Sequence, residues 1–240
     1  MGPGLTQPWA VEERFGPAAD LFSAGLWDGV DAPIIRVLKV SAPTIVVGSS
    51  QSLDVVDLDA CAADGVDVVR RRSGGGAVWL DDDMVWVDVF VPAGHERWEA
   101  DIGRSMWWLG EAWAEALASS GVPGAVVHRE AIVRTSWSSL VCFAGLGAGE
   151  VTVDTRKAVG IAQRRTRAGA LFQCGLLRRW DPTGFIRFLR VDGRRAPDSL
   201  GVALASAGVG VGVRADAAVS AFIDLVTTDH AAITPNLSVR

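Results

Sequence analysis

The chain reads as an α+β protein, and three observations carry that reading. Short β-branched runs are bounded by Gly, Pro or Asp, one long stretch is amphipathic at helical spacing, and the two kinds of segment do not alternate regularly. Regular alternation would point to a doubly wound parallel sheet; its lack favours α+β layers. The runs at 34–40, 44–47, 66–70, 85–91, 151–154 and 170–177 are predicted strands. Trp98, Ile102, Leu109, Trp113 and Leu117 recur at three- to four-residue steps with charges on the other face, which predicts a helix. Asp181-Pro182 ahead of Phe185, Phe188 and Leu189 reads as an N-cap, a first-turn proline and an apolar face. A last helix is expected from about Asp216 to Val226, inside a C-terminal segment 213–228. Between these, residues 190–212 are rich in Gly, Ala and Ser and read as a mobile loop or a weakly packed connection. We therefore expect one domain over 1–240, with its informative core at about 34–190.

Composition narrows the function. With 49% hydrophobic residues the chain can bury a core, and a net charge of -5 with a pI near 5.2 argues against a nucleic-acid partner. A local exception is the basic cluster Arg164, Arg165 and Arg167. No apolar run is long enough to span a membrane, and the N-terminus lacks the basic start and apolar run of a signal peptide, so a cytoplasmic location is expected. Cys61, Cys142 and Cys174 lack metal-ligand spacing, and His95, His128 and His230 lie far apart, so no metal site is expected.

The most informative stretch is Arg70-Arg71-Arg72-Ser73-Gly74-Gly75-Gly76-Ala77, between one predicted strand and another that continues through Val78. Glycines allow close backbone approach, so this loop can present N–H groups to a phosphate, a carboxylate or a thioester carbonyl. A tight hairpin with solvated arginines is the competing reading. No GKS or GKT follows, and the glycines do not open a helix, so neither a Walker loop nor a dinucleotide fingerprint is present.

Downstream, two strands meet at a turn near Asp154 to Arg156, which puts Lys157 at the start of the second. A lysine there can reach an acyl carbonyl or an acyl-adenylate phosphate, or can simply be a surface lysine of a hairpin. Cys142, between Val141 and Phe143, reads either as a nucleophile or as a small buried hydrophobe.

Together, RRxSGGGAV, the later RKxxG and the AQRR that follows resemble the lipoate-protein ligase and octanoyltransferase family. The resemblance implies the catalytic fold shared with biotin ligases and related to one type of aminoacyl-tRNA synthetase, a mixed and mainly antiparallel sheet flanked by helices. It assigns Arg71, Ser73, Gly74, Gly75, Gly76 and Ala77 to the loop over the acyl group, makes Lys157 the essential lysine, and sets Gly160 and Gln163 in the same pocket. By alternation, Val78, Val159 and Ile161 are expected as apolar walls. Two departures stand out. The family's His-Asp after the loop is Leu80-Asp81 here, keeping only the acid, Asp81, which the resemblance makes a substrate-binding residue, and its LQHG is Phe172-Gln173-Cys174-Gly175.

The resemblance leaves the chemistry open. A ligase would activate lipoate or octanoate with ATP and Mg²⁺ and pass it to a carrier lysine. The SGGGAV form of the loop favours this as the first expectation. An octanoyltransferase would instead take octanoate from acyl carrier protein through Cys142, with no nucleotide. No appended domain of the kind many ligases carry is visible before Arg240. A non-catalytic acyl- or carrier-binding protein is a third possibility, motivated by the missing histidines and ten tryptophans. The acceptor implied in the two catalytic readings is a lipoyl carrier domain, of the dehydrogenase E2 or glycine-cleavage H protein type, with Arg164, Arg165 and Arg167 docking its acidic surface.

Overall fold

A computed structural model describes residues 7–23, 27 and 29–228. The expectations placed on the first six residues and on His230 lie outside them. In chain order the strands are β1 (Ala10–Gly16), β2 (Ile34–Val40), β3 (Thr44–Val47), β4 (Asp67–Arg70), β5 (Val78–Leu80), β6 (Met84–Pro92), β7 (Ala125–Val127), β8 (Val151–Val153), β9 (Arg156–Arg165) and β10 (Gly169–Leu177). The helices are α1 (Ala18–Leu21), α2 (Leu58–Ala63), α3 (Trp107–Ser119), α4 (Thr183–Ile186), α5 (Asp198–Ala205) and α6 (Ala215–Thr228).

Seven strands form the main sheet in the order β1-β2-β6-β10-β9-β8-β7. β1 joins β2 in parallel and every other neighbouring pair is antiparallel, so the sheet is mixed and mainly antiparallel. β6 and β10 are buried along their whole length, as central strands covered on both faces must be. One face carries α3 and α6, where Trp113 stacks on Phe222 with ring centroids 3.9 Å apart. A smaller sheet, β4-β3-β5, lies by the other face. The glycine loop is the connection from β4 to β5.

Three expectations change. The amphipathic helix starts only at Trp107: Ile102 is exposed, and the Asp101 carboxylate caps the Arg104 N–H at 2.9 Å, so 98–103 is a turn region. Behind Asp181, whose carboxylate accepts from the Thr183 N–H at 3.1 Å, α4 is a single turn. The 190–212 segment contains a small hairpin and α5, because Leu200 and Leu204, four residues apart, bury against the cluster of Phe185 and Phe188. The Asp154–Arg156 turn forms as expected, with positive φ at Asp154 and Thr155 (50° and 66°), the geometry a tight hairpin requires. Among the described residues no helix is long and apolar enough to cross a membrane.

Candidate active site

The loop is held from inside. Arg71 is buried, and its guanidinium donates to the carbonyls of Val46 (3.0 Å), Gly74 (2.7 Å) and Gly76 (2.9 Å) and to Ser73 Oγ (3.2 Å). Ser73 N–H and Oγ–H in turn donate to Gln173 Oε1 at 3.2 and 2.8 Å. Gln173 Nε2 donates to Asp88 Oδ1 at 3.2 Å, and Trp86 Nε1 reaches the same oxygen at 2.6 Å. Sheet register sets this chain: Asp88 on β6 lies opposite Gln173 on β10 and opposite Arg36 on β2, and Arg36 is bridged to Glu12 on β1 at 2.9 Å. A polar row thus crosses the sheet and ends on the glycine loop. Burial pushes the Asp88 carboxyl up to about 7, against the pull of Trp86, Gln173 and Arg36.

Among the described residues the N–H groups of Gly74, Gly75 and Gly76 have no hydrogen-bond partner, so they remain available as donors. Two glycines are required by space. A Cβ on Gly76 would lie 2.6 Å from the Val141 backbone, and one on Gly48 only 2.0 Å from the Gly75 carbonyl.

This loop meets the segment of Cys142. Ala77 N–H donates to Leu140 O at 2.8 Å and Cys142 N–H to Ala77 O at 3.0 Å, a short parallel bridge. Cys142 is half-buried at the start of a 3₁₀ turn, and a Cβ on Gly75 would lie 3.6 Å from its sulfur and 2.9 Å from the Arg71 guanidinium. The Arg71 cation therefore stands beside this thiol. Burial lowers its pKa from the ordinary value, and the charges of Cys142 and Glu150 oppose that.

Lys157 is buried, not a surface hairpin lysine. Its Nζ donates to Cys142 O at 2.9 Å and to Glu150 Oε1 and Oε2 at 3.0 and 2.8 Å, so its three protons are committed. Glu150, which sequence reasoning missed, also accepts from Ile161 N–H at 3.1 Å and Gly147 N–H at 2.6 Å. The ammonium thus fixes the backbone under Cys142 and is not aimed at open space. Its contact to the Cys142 carbonyl is a positioning one.

Strand parity corrects other expectations, since successive side chains alternate faces. A small cavity of about 20 Å³ lies between Cys142, Arg71, Val78, Trp86, Gly160 and Gln173. Val78 and Gly160 are there as expected. Gln163 sits three positions from Gly160 and so faces the other way, donating to Ile102 O at 2.7 Å and accepting from Ser105 Oγ at 3.2 Å. Val159 and the Ile161 side chain pack in the core under α3 and α6, although the Ile161 backbone borders the cavity. Asp81 lies in the β5–β6 turn, accepting from Trp79 Nε1 (2.7 Å) and Asp83 N–H (2.8 Å), and borders a different groove, with Lys39 and Asp216. It is a turn residue. Of the basic cluster, Arg164 and Arg167 are exposed, while Arg165 is pinned to Ala100 O (3.0 Å) and Glu99 O and stacks over Trp98.

A half-buried cysteine beside a glycine loop, with a buried lysine–glutamate pair holding its backbone, is the arrangement of a catalytic domain. The chain belongs to the lipoyl protein ligase A/B catalytic domain family, whose description matches residues 7–210. Among curated proteins it is 34% identical over 149 residues to octanoyltransferase LipM of Moorella thermoacetica, covering 62% of this chain and 54% of that protein. It is 30% identical over 172 residues to octanoyltransferase LipM of Kyrpidia tusciae, covering 70% of this chain and 62% of that one. These matches span about half or a little more of the relatives' length. Among solved structures it shares the fold of a lipoate-protein ligase A bound with ATP (TM-score 0.68, 20% identity, 93% of this chain and 85% of that one). The putative lipoate protein ligase of T. acidophilum with bound lipoic acid is similar at TM-score 0.65 and 18% identity, over 93% of this chain and 86% of that one.

Proposed function

We propose that this protein is an acyltransferase that takes an octanoyl group from a thioester donor of the acyl-carrier-protein kind onto Cys142 and hands it to a lysine of a lipoyl carrier domain. The observation that carries the reading is the position of the Cys142 thiol, close to Arg71 and to Gly75 of a loop whose glycine amides are unpaired. The curated relatives named as octanoyltransferases support it over the ATP-dependent ligase that the form of the loop first suggests.

In the first step the Cys142 thiolate attacks the thioester carbonyl carbon, and the developing oxyanion is received by the Gly74–Gly76 N–H groups. The new C–S bond forms, the donor thiolate leaves, and the acyl group rests on Cys142. In the second step the carrier lysine amine attacks the same carbonyl, loses its proton and releases the Cys142 thiol. Lys157 and Glu150 hold the Cys142 backbone through both steps. Arg164 and Arg167, exposed at the β9–β10 end, favour an acidic carrier surface. The ligase alternative needs Mg²⁺, and the two buried carboxylates by the loop, Asp88 and Glu150, are already occupied by protein donors. This donor set does not fit the ion.

The deciding assay offers apo-carrier with either an octanoyl thioester or octanoate plus MgATP and weighs both proteins. We expect modification from the thioester alone, an octanoyl adduct on the enzyme, and loss of both in Cys142→Ser. Modification that requires MgATP and survives Cys142→Ser would establish the ligase instead.

A further inference from the structure

The cavity beside Cys142 has an unusual floor. Gly160 on β9 is paired in register with Gly175 on β10, and Gly175 with Trp86 on β6. These three share the sheet face that holds Gln173 and Asp88, so an occupant entering from the sulfur lies on bare backbone across β9 and β10. Two side chains roof this floor: a Cβ on Gly160 would be in contact with Phe143 Cζ at 3.4 Å, and one on Gly175 would meet the Met84 thioether at 3.1 Å. The first side chain that this row itself supplies is the indole of Trp86, two strands on, or about 10 Å at ordinary strand spacing.

Trp86 is a fixed wall. It is buried, its Nε1 is tied to Asp88 at 2.6 Å, and Phe22 packs edge-on at 5.2 Å. The other large walls are equally tied: Phe143 lies under the Lys157 ammonium and against Trp180, and Gln173 is locked between Ser73 and Asp88. With only about 20 Å³ open, the space suits one water-sized group, and a longer one must displace the flexible Met84 thioether that lies over Gly175.

We propose that Trp86 sets the length of the acyl chain that Cys142 accepts, acting as the end stop of a slot floored by Gly160 and Gly175. The proposal rests on the acyl-transfer reading for its biological meaning, but the slot itself is testable without turnover. Alkyl methanethiosulfonates from butyl to dodecyl form a disulfide with a thiolate and expel methanesulfinate, so their rates on Cys142 report the fit of a chain in the slot. Cys61 and Cys174 are fully buried and Cys142→Ser supplies the blank.

In Trp86→Leu and Trp86→Ala we expect the fastest-reacting chain to become longer, with the long-to-short rate ratio rising about tenfold per added methylene. Gly175→Ala, which fills the floor, should move it the other way. Acyl thioesters of the same lengths, assayed for carrier modification, should follow the same order. Variants that fold by circular dichroism, react with methyl methanethiosulfonate at the parental rate and keep the parental length ranking would overturn the slot. Failure of every thioester to modify the carrier, with the length shift intact, would instead sink the transferase reading and leave the slot standing.

Discussion

Cys142 and Cys174 are chemically the same group held on opposite sides of one sheet. Cys142 sits at the end of the glycine loop, half-exposed, with the Arg71 cation near its sulfur. Cys174 is the neighbour of Gln173 on β10, and that single step turns it into the core under α3, where it has no exposed surface and burial pushes its thiol well above the ordinary range. The difference teaches that reactivity follows strand parity and not residue type. It also places the departure from the family's histidine, at Cys174, on the packed side, away from the cavity. That loss takes no side chain from the face that carries Gln173.

The sharpest way to break this contrast is to disturb the anchor that distinguishes Cys142. Lys157→Ala leaves the buried Glu150 carboxylate unpaired, so we expect a loss of about 3–5 kcal/mol in chemical denaturation together with loss of acyl transfer, because the Cys142 carbonyl is freed. Intact transfer in a destabilised variant would show that the lysine is structural alone.

A next test addresses the burial of Asp88. Its folded carboxyl is raised to about 7 from 3.8, so the folded state binds more protons than the unfolded one between those values, and stability should fall as pH rises from about 4 to 7. The contribution is on the order of 4 kcal/mol, and Asp88→Asn should flatten that slope in urea titrations at several pH values. An unchanged slope would mean another group is responsible.

Restoring the family's residue in Cys174→His should overpack the core under α3 and cost about 1–3 kcal/mol, with no gain in transfer by the folded fraction. An increase in rate would contradict the assignment of that position to the core.

The smallest effect is expected at the exposed arginines. Arg164→Ala with Arg167→Ala should shift stability by no more than about 0.5 kcal/mol, while slowing carrier modification at low salt more than at high salt. A rate loss independent of salt would remove the docking role.

Much of this was readable in the residues. The strand runs, the hairpin turn at Asp154, the glycine loop between two strands and its later lysine all depend on local preferences and on short motifs, which a linear chain displays. What failed were statements about facing and pairing. Gln163 and Asp81 were expected at the pocket from the resemblance and Val159 from alternation, but the parity of β9 and the β5–β6 turn direct them elsewhere. Glu150 and Asp88 carried no signal, since lone acids in a chain are usually solvated and only a tertiary partner makes them special.

By itself the sequence determined which segments extend, where the backbone can bend tightly, and which family those motifs belong to. The tertiary structure decided that Lys157 is committed to Glu150 and the Cys142 carbonyl, that Arg71 turns the loop's carbonyls inward, and that one of two cysteines faces the cavity. The physical reason is that burial and hydrogen-bond partners come from strand register between distant segments, and a register is fixed only once the sheet has formed.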